Sequence, residues 1–199
     1  MIIFGLGTGR CGTLSLAKLL NNQQNAVVTH EQFPLLTWEV NDNSINLLDQ
    51  RIKTYLQTPE IYTGDVCSVY LNYVEYIYHR LDKNARFICL ERDKESNINS
   101  WLRKTRNHNN WSVFAKGSKK FSKMFPKYNI HNKKKCLEKY WEEYKDISDS
   151  LCKKIPVFKK YNTEDLNNET KIIEILEFCS IKNPRILKIK SNSTKNSTI

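Results

Sequence analysis

Short apolar runs alternate along the chain with longer stretches in which apolar residues recur at helical spacing. The short runs, which predict buried β-strands, lie at 1–6, 26–30, 60–66 and 85–91. The stretches that predict amphipathic helices lie at 13–21, 43–57, 69–81 and 94–105. Regular alternation of strand and helix is typical of parallel sheets, because parallel strands need a crossover connection. We therefore predict an α/β fold with three layers, α/β/α, around a central parallel sheet.

The pattern changes after Thr105. Residues 106–135 are rich in Asn, Ser and Lys and only weakly periodic, so they predict a long loop or an irregular lid. The elements predicted after it are a helix at 135–155, a strand at 156–162 and a capped helix at 163–181. This organisation predicts one domain over residues 1–182. The basic and polar tail at 183–199 has little apolar content and is expected to be disordered.

The composition is that of a globular protein with an excess of positive charge. A chain of 199 residues with 40% hydrophobic residues is long enough to bury its own core. The formal charge of +11 suits an anionic partner, although Lys-rich solvated faces alone produce the same excess. No apolar run approaches the ~20 residues of a membrane span, and the opening MIIFGL lacks the basic region of a signal peptide. We expect a soluble, cytoplasmic protein.

The six cysteines indicate neither a metal site nor a disulfide framework. They are scattered, without a C-x-x-C pair and without histidines at metal-ligand spacing. In a reducing compartment such residues are buried thiols. We therefore predict no metal cofactor.

The sequence GLGTGRCGTLS, residues 5–15, places a glycine-rich turn between the first strand and the first helix. Such a turn presents backbone N–H groups at the N-terminus of a helix, where the helix dipole also favours negative charge. An anion-binding site is the leading interpretation of this stretch. Three types of anion site compete for it.

The first type is the P-loop of nucleoside triphosphate enzymes, G-x-x-x-x-G-K-[ST]. Gly7 and Gly12 have the required spacing, but Thr13 occupies the position of the lysine. Without that lysine and the hydroxyl that follows it, phosphoryl transfer on Mg²⁺ is poorly supported.

The second type is the dinucleotide fingerprint G-x-G-x-x-G. Gly7, Gly9 and Gly12 satisfy it, and Glu31 follows the second strand, where an acid that binds ribose belongs. Arg10 argues against it, since this residue lies inside the turn where a close backbone approach is needed.

The third type of anion site accounts for the residues that do not fit the first two. Arg10 adds a fixed charge, and three hydroxyl groups add donors for an oxygen-rich anion. With Arg in place of Lys, the loop resembles the 5′-phosphosulfate loop of the PAPS-dependent sulfotransferases, which use 3′-phosphoadenylyl sulfate (PAPS) as sulfate donor. The resemblance implies the following donor-binding residues: Gly7, Thr8, Gly9, Arg10, Cys11, Gly12, Thr13 and Ser15.

A second stretch, ICLERDKESNINSWLRK, supports the resemblance. That family binds the 3′-phosphate of PAPS with an Arg that closes a strand and a Ser eight residues later, usually followed by Trp. Arg92, Ser100 and Trp101 reproduce this spacing. An Arg at the carboxyl end of a parallel strand points into the crevice, and a Ser two helical turns later can meet the same phosphate.

The resemblance covers residues 1–182 and implies both a fold and a reaction. It is nearest to the short soluble sulfotransferase-like proteins and to carbohydrate and protein-tyrosine sulfotransferase domains, because the phenol-type enzymes carry Lys where this chain has Arg10. The implied reaction transfers a sulfuryl group from PAPS to an acceptor hydroxyl or amine and releases adenosine 3′,5′-bisphosphate (PAP). No metal is obligatory, since Arg and backbone N–H donors can stabilise the leaving phosphate.

The reaction needs a base that accepts the proton of the acceptor. Glu31 is the first candidate, because family members of this type place a glutamate after the second strand. His30 is adjacent, and alternate side chains of an extended strand point to opposite sides, so we expect only one of the two in the crevice and a structural role for His30. Asp65, at the end of the third strand, is a candidate to orient the acceptor, or a turn residue.

The basic segment at 106–128 is a candidate lid over the nucleotide, with Arg106, Trp111, Lys116 and Gly117 as candidate contacts. Alternative functions are an NAD(P)-type dinucleotide-binding protein, a basic nucleic-acid-binding module built on the same segment, and a retired enzyme that binds PAPS without turnover. Nucleic acid is the less favoured partner, and no membrane partner is expected. The acceptor stays open between carbohydrate, peptide and small metabolite.

Overall fold

A computed structural model of the chain describes residues 1–186. Five strands form one parallel sheet in the order β2-β3-β1-β4-β5. The strands are β1 (Ile2–Gly7), β2 (Ala26–His30), β3 (Tyr62–Val66), β4 (Ala85–Glu91) and β5 (Phe158–Asn162). The helices are α1 (Thr13–Asn21), α2 (Asp42–Gln57), α3 (Val74–Leu81), α4 (Lys94–Lys104), α5 (Lys133–Lys154) and α6 (Glu169–Phe178). The predicted α/β fold with a central parallel sheet is confirmed.

Two predicted helices begin with a tighter turn. Residues 68–73 and 163–167 form 3₁₀ turns ahead of α3 and α6. Both 3₁₀ turns follow a strand directly, or nearly so, where the chain must change direction within a few residues.

The sheet buries an apolar core on each face, which explains the continuous apolar runs in the sequence. Ile2, Phe4 and Leu6 of β1 pack on one face with residues of α2, α3, α4 and α5. Ile3 packs on the other face with α1 and α6. These two cores confirm the three-layer arrangement.

The sheet order argues against the dinucleotide-binding alternative. In a dinucleotide-binding fold the second strand lies beside the first, which brings the acid at its end to the glycine loop. Here β3 lies between β1 and β2. With neighbouring strands ~4.8 Å apart, the end of β2 is therefore ~10 Å from the end of β1.

Part of the segment between α4 and α5 is buried in the core, although its lysines are exposed. Trp111 is 0% exposed. Its ring packs against Trp101, Phe125 and Tyr140 at centroid distances of 5.0, 4.8 and 5.9 Å. Trp111 is therefore wrong as a candidate contact of the lid in this conformation, because its side chain is enclosed in an aromatic cluster.

The chain beyond α6 meets the segment that follows α1. The Arg185 amide donates to Gln23 Oε1 at 2.8 Å, and Gln23 Nε2 donates to the Arg185 carbonyl at 2.9 Å. The rest of the predicted disordered tail, from residue 187 onward, lies outside the described residues. None of the helices in the described part of the chain has the length and apolar content to cross a membrane.

Candidate anion-binding site

The loop between β1 and α1 has a left-handed backbone at three positions. Gly9, Arg10 and Gly12 have φ angles of +73°, +58° and +89°. Such conformations are easy for glycine and uncommon for arginine. Within the described residues the N–H groups of Arg10 and Gly12 donate to no acceptor, and Gly12 precedes the first turn of α1. The loop therefore offers free backbone donors at a helix N-terminus, as an anion site requires.

Helix α4 supports this loop from one side. Asn97 Nδ2 donates to the Gly9 carbonyl at 2.8 Å, and Trp101 Nε1 donates to the Thr8 carbonyl at 3.2 Å. A Cβ atom at Gly9 would lie 2.6 Å from the Trp101 ring, so only glycine fits there. These contacts hold the loop carbonyls on α4 and leave the N–H groups on the opposite side of the turn.

Two further side chains tie down the ends of the loop. The Gly7 amide donates to the Tyr144 hydroxyl at 2.8 Å, and that hydroxyl donates to the Ser68 carbonyl at 2.9 Å. Thr163 Oγ1 lies 2.9 Å from the Cys11 carbonyl and 3.0 Å from the Glu91 carbonyl, to which it can donate. The loop is thus fixed by elements that lie far from it in sequence.

The predicted loop residues differ in whether their side chains are accessible to a bound anion. The Cys11 side chain is 0% exposed, and burial raises the pKa of its thiol to about 11. Thr8 Oγ1 donates to the Gly9 carbonyl at 3.2 Å, and both Thr8 and Thr13 are buried, whereas Ser15 is partly exposed. Cys11 can therefore contribute its backbone, but not a thiolate, to a bound anion.

Two arginines meet at the loop, and the charge of a third, Arg103, also acts on Arg10. The Arg92 guanidinium donates to the Arg10 carbonyl at 2.9 Å. Desolvation, together with the charges of Arg92 and Arg103, lowers the pKa of Arg10. None of these three side chains forms an ion pair with a carboxylate in residues 1–186. Unpaired guanidinium groups beside free backbone N–H donors form a site for a multiply charged anion.

The two phosphate-binding stretches that the sequence predicts lie side by side. Ser100 is buried, and its hydroxyl accepts a hydrogen bond from Arg10 Nε at 3.1 Å. Arg92 and Ser100 are both brought to the Arg10 residue, Arg92 at its carbonyl and Ser100 at its side chain. Strand β4 is the direct neighbour of β1, so the residues after both strands meet at one edge of the sheet.

Sequence reasoning missed Arg103, Asn97 and Tyr144. Asn97 and Arg103 lie one helical turn on either side of Ser100, so the i, i+3 spacing on α4 could have indicated them. Tyr144 lies 137 residues from Gly7, and no local pattern marks it.

Among the candidate bases, His30 is the side chain that contacts the loop region. Its Nε2 lies 3.2 Å from Thr13 Oγ1. Glu31 has a left-handed φ of +53°, and its amide donates to the Val66 carbonyl at 3.1 Å. Because Glu31 is not in an extended conformation, the alternation of side chains along β2 does not predict the direction of its side chain. Glu31 is half-buried, and its carboxylate has no polar partner among the residues that the structure describes.

The carboxylate of Asp65 is enclosed by hydrogen-bond donors of the protein itself. Asp65 is 0% exposed, and its carboxylate accepts hydrogen bonds from Thr29 Oγ1 at 2.7 Å, the Gln32 amide at 3.2 Å and the Tyr70 hydroxyl at 3.0 Å. The buried Arg51 donates to the same Tyr70 hydroxyl at 3.1 Å. A carboxylate that is enclosed and fully partnered stabilises the segment after β2 and has no free oxygen for an acceptor.

Two solved sulfotransferase structures are similar to this chain over most of its length. A sulfotransferase from Alicyclobacillus acidocaldarius aligns with a TM-score of 0.55 and 13% identity over 92% of this chain and 82% of that chain. The sulfotransferase domain from the curacin biosynthetic pathway aligns with a TM-score of 0.59 and 15% identity over 91% of this chain and 74% of that chain. No protein-family model matches the chain, and no curated protein matches it significantly. The chain has a sulfotransferase-like fold, which confirms the resemblance at the level of architecture.

Proposed function

We propose that this protein is a sulfotransferase that transfers a sulfuryl group from PAPS to an acceptor hydroxyl or amine and releases PAP. The observation that carries the proposal is the contact between Arg92 and Arg10 on a glycine loop with free N–H donors, where the charge of Arg103 also acts on Arg10. Within the described residues these arginines have no carboxylate partner. PAPS carries phosphate groups at two ends, and these groups would provide the negative charge that the arginines do not receive from carboxylates.

The two ends of the donor have separate candidate partners. The N–H groups of the loop and the Arg10 guanidinium are proposed to bind the 5′-phosphosulfate, with hydroxyl groups of Thr8, Thr13 and Ser15 close by. Arg92 and Ser100 are proposed to bind the 3′-phosphate. Their position at the end of β4 and on α4, directly beside the loop, supports this division.

The chemistry needs charge stabilisation and one proton acceptor. The acceptor oxygen forms a bond to sulfur while the bond between sulfur and the bridging phosphate oxygen breaks, so negative charge grows on the leaving phosphate. Arg10 and the loop N–H groups can stabilise that charge without a metal. Glu31 is proposed to take the proton from the acceptor, because a half-buried carboxylate without a partner is free to do so. His30 is proposed to hold Thr13 at the start of α1.

The alternatives are less well supported by the geometry. A nucleic-acid-binding module needs a row of exposed aromatic faces in the basic segment, but Trp111 and Phe125 are buried, and among the aromatic residues of 106–128 only Phe114 is largely exposed. A retired enzyme that binds PAPS without turnover would keep the arginine cluster and lack a working base. A cytoplasmic location remains part of the proposal.

Thermal unfolding with nucleotides tests the donor. PAP at about 100 times its Kd should stabilise the protein by about 2.7 kcal/mol, which raises the Tm by roughly 5–10 °C for a chain of this size. NADH and ATP at the same concentration should have a much smaller effect, because neither combines a 3′-phosphate with a 5′-phosphate. Equal stabilisation by NADH would contradict the proposal.

A further inference from the structure

The residue that follows the candidate base Glu31 is held at three of its polar atoms. The Gln32 amide donates to Asp65 Oδ1 at 3.2 Å. The Gln32 carbonyl accepts a hydrogen bond from Arg51 Nη2 at 2.7 Å, and its side-chain Oε1 accepts one from the Tyr55 hydroxyl. The two side-chain donors lie on α2, and the carboxylate lies on β3. The turn after β2 is therefore fixed by two other elements of the fold.

Arg51 is a buried charge without a carboxylate partner. Its side chain is 5% exposed, and within residues 1–186 it forms no ion pair with Asp or Glu. Burial of a charge is unfavourable, and an apolar side chain would fill the same volume more favourably. Besides the Gln32 carbonyl, Nη2 binds the Pro34 carbonyl, and Nη1 donates to the Tyr70 hydroxyl at 3.1 Å. The guanidinium group thus joins two carbonyls of the same turn to the core.

Tyr55 supplies the second donor from α2. It is 8% exposed, and desolvation together with the charge of Asp65 raises the pKa of its hydroxyl. The hydroxyl therefore stays protonated at neutral pH and can donate to Gln32. Tyr55 and Arg51 are four residues apart and both are buried on α2, so they lie on one face of the helix. This face presents two hydrogen-bond donors to a single residue of the turn.

The backbone of Glu31 explains why the turn needs to be held. Its φ of +53° is uncommon for a residue with a side chain, and such conformations persist where the surrounding contacts enforce them. On one side, the Glu31 amide donates to the Val66 carbonyl at 3.1 Å. On the other side, the contacts of Gln32 fix the chain. Backbone contacts on both sides therefore set the direction in which the Glu31 side chain leaves the chain.

We propose that Arg51 and Tyr55 are positioning residues, which hold the Glu31 carboxylate where it takes the proton of the acceptor. This inference rests on the proposed function. A general base acts only within hydrogen-bond reach of the proton, and a displacement of about 1 Å can lower the rate about 10²-fold. A carboxylate that has to accept a proton is most effective when no other group of the protein occupies it. Its position is therefore fixed through the backbone of the adjacent residue.

The test measures turnover and nucleotide affinity in variants of α2. Turnover is the release of PAP from PAPS, with a tyrosine peptide and a hexose oligomer as probe acceptors. Tyr55→Phe removes one hydroxyl and keeps the buried ring, so kcat should fall about tenfold or more. Arg51→Lys keeps the charge but loses the fork that binds two carbonyls, and its kcat should also fall. The KM for PAPS and the affinity for PAP should stay within about twofold of the wild type.

A double-variant cycle shows whether the effect passes through the base. In the Glu31→Gln background, Tyr55→Phe should change turnover by less than about twofold, because no base is left to be positioned. A purely structural role would lower turnover by the same factor in both backgrounds. Tyr76→Phe is the matched control, since its hydroxyl donates to Asp49 of the same helix at 2.9 Å and makes no contact with the turn. It should turn over like the wild type.

Each departure from this pattern overturns the inference. Wild-type turnover in Tyr55→Phe, or an equal loss in both backgrounds, would show that Tyr55 does not act through Glu31. A parallel loss of PAP affinity would place the effect at the donor site instead, and an equal loss in Tyr76→Phe would reduce it to general destabilisation. These results refute only the inference, because the wild type still binds PAP and turns over. Absence of PAP binding or of turnover in the wild type refutes the proposed function, and with it the base that these residues would position.

Discussion

Arg10 Nε donates a hydrogen bond to Ser100 Oγ across 3.1 Å and joins the loop after β1 to the buried face of α4. The sequence assigns these residues to opposite ends of one nucleotide. Their contact means that the two phosphate sites share a side chain. Effects of substitutions at the two positions should therefore not be additive, as is usual for residues in direct contact.

Arg92→Ala should remove the preference for a 3′-phosphate. A charge-assisted hydrogen bond to a phosphate contributes enough that the affinity for PAP should fall about 10- to 100-fold, while the affinity for adenosine 5′-phosphate changes little. Arg10→Ala should weaken binding of both nucleotides. Titration calorimetry with the two ligands measures this, with Arg80→Ala as a control that breaks only the ion pair with Asp49. An intact 3′-phosphate preference in Arg92→Ala would refute the assignment of that site.

Two tyrosines of α5 allow a matched comparison of stability. Tyr140 and Tyr144 lie one helical turn apart and are both buried. The Tyr144 hydroxyl bonds to Gly7 and Ser68, whereas the Tyr140 hydroxyl has no partner within the described residues. Tyr144→Phe should lower the free energy of unfolding by about 1–3 kcal/mol, and Tyr140→Phe should be neutral or slightly stabilising.

Denaturant unfolding measures the free energy of unfolding of both tyrosine variants. Titration with PAP then shows whether a loss of stability is accompanied by a loss of nucleotide affinity. Since the Gly7 amide is anchored by Tyr144, the loop of Tyr144→Phe should be less well held and PAP should bind more weakly. Tyr140→Phe should bind PAP like the wild type. Equal unfolding free energies for the two variants would show that the contact between Tyr144 and the loop contributes nothing.

The sequence predicted the parts of the fold that are set by local patterns. The apolar runs gave the strands, and the interval between Arg92 and Ser100 indicated a pair of residues that the structure brings to the same loop. The position of β3 between β1 and β2 could not be predicted, because the order of parallel strands depends on crossover connections rather than on local composition. The burial of Trp111 was missed for a similar reason, since two of its ring partners, Trp101 and Tyr140, belong to helices outside the polar segment.

Asp65→Asn should destabilise the protein and leave the nucleotide site intact. The substitution replaces an acceptor of three hydrogen bonds by an amide and removes the negative charge to which Tyr70, a partner of the buried Arg51, donates. The loss should be about 2–3 kcal/mol, measured by chemical unfolding. PAP affinity well below the Tm should match that of the wild type. A large loss of turnover in a variant that is still fully folded would restore Asp65 as a residue that contacts the acceptor.

The identity of the base can be decided by comparing two neighbours. Glu31→Gln keeps the size of the side chain and removes its ability to take a proton, so turnover should fall about 10²- to 10⁴-fold. PAP affinity should hardly change, because Glu31 is not proposed to contact the nucleotide. His30→Ala loses the contact with Thr13 and should cost less turnover than Glu31→Gln. Glu39→Gln, an exposed carboxylate of the same segment, is the control and should behave like the wild type.

Release of PAP from PAPS, measured with saccharide and tyrosine-peptide acceptors, separates the remaining outcomes. A larger loss in His30→Ala than in Glu31→Gln would transfer the role of base to the histidine, whose Nε2 lies 3.2 Å from Thr13 Oγ1. Wild-type turnover in both variants would show that neither residue is the base. Tight PAP binding without turnover of any acceptor by the wild type would favour the retired enzyme. A carboxylate base after β2 requires that Glu31→Gln loses more turnover than His30→Ala and keeps its affinity for PAP.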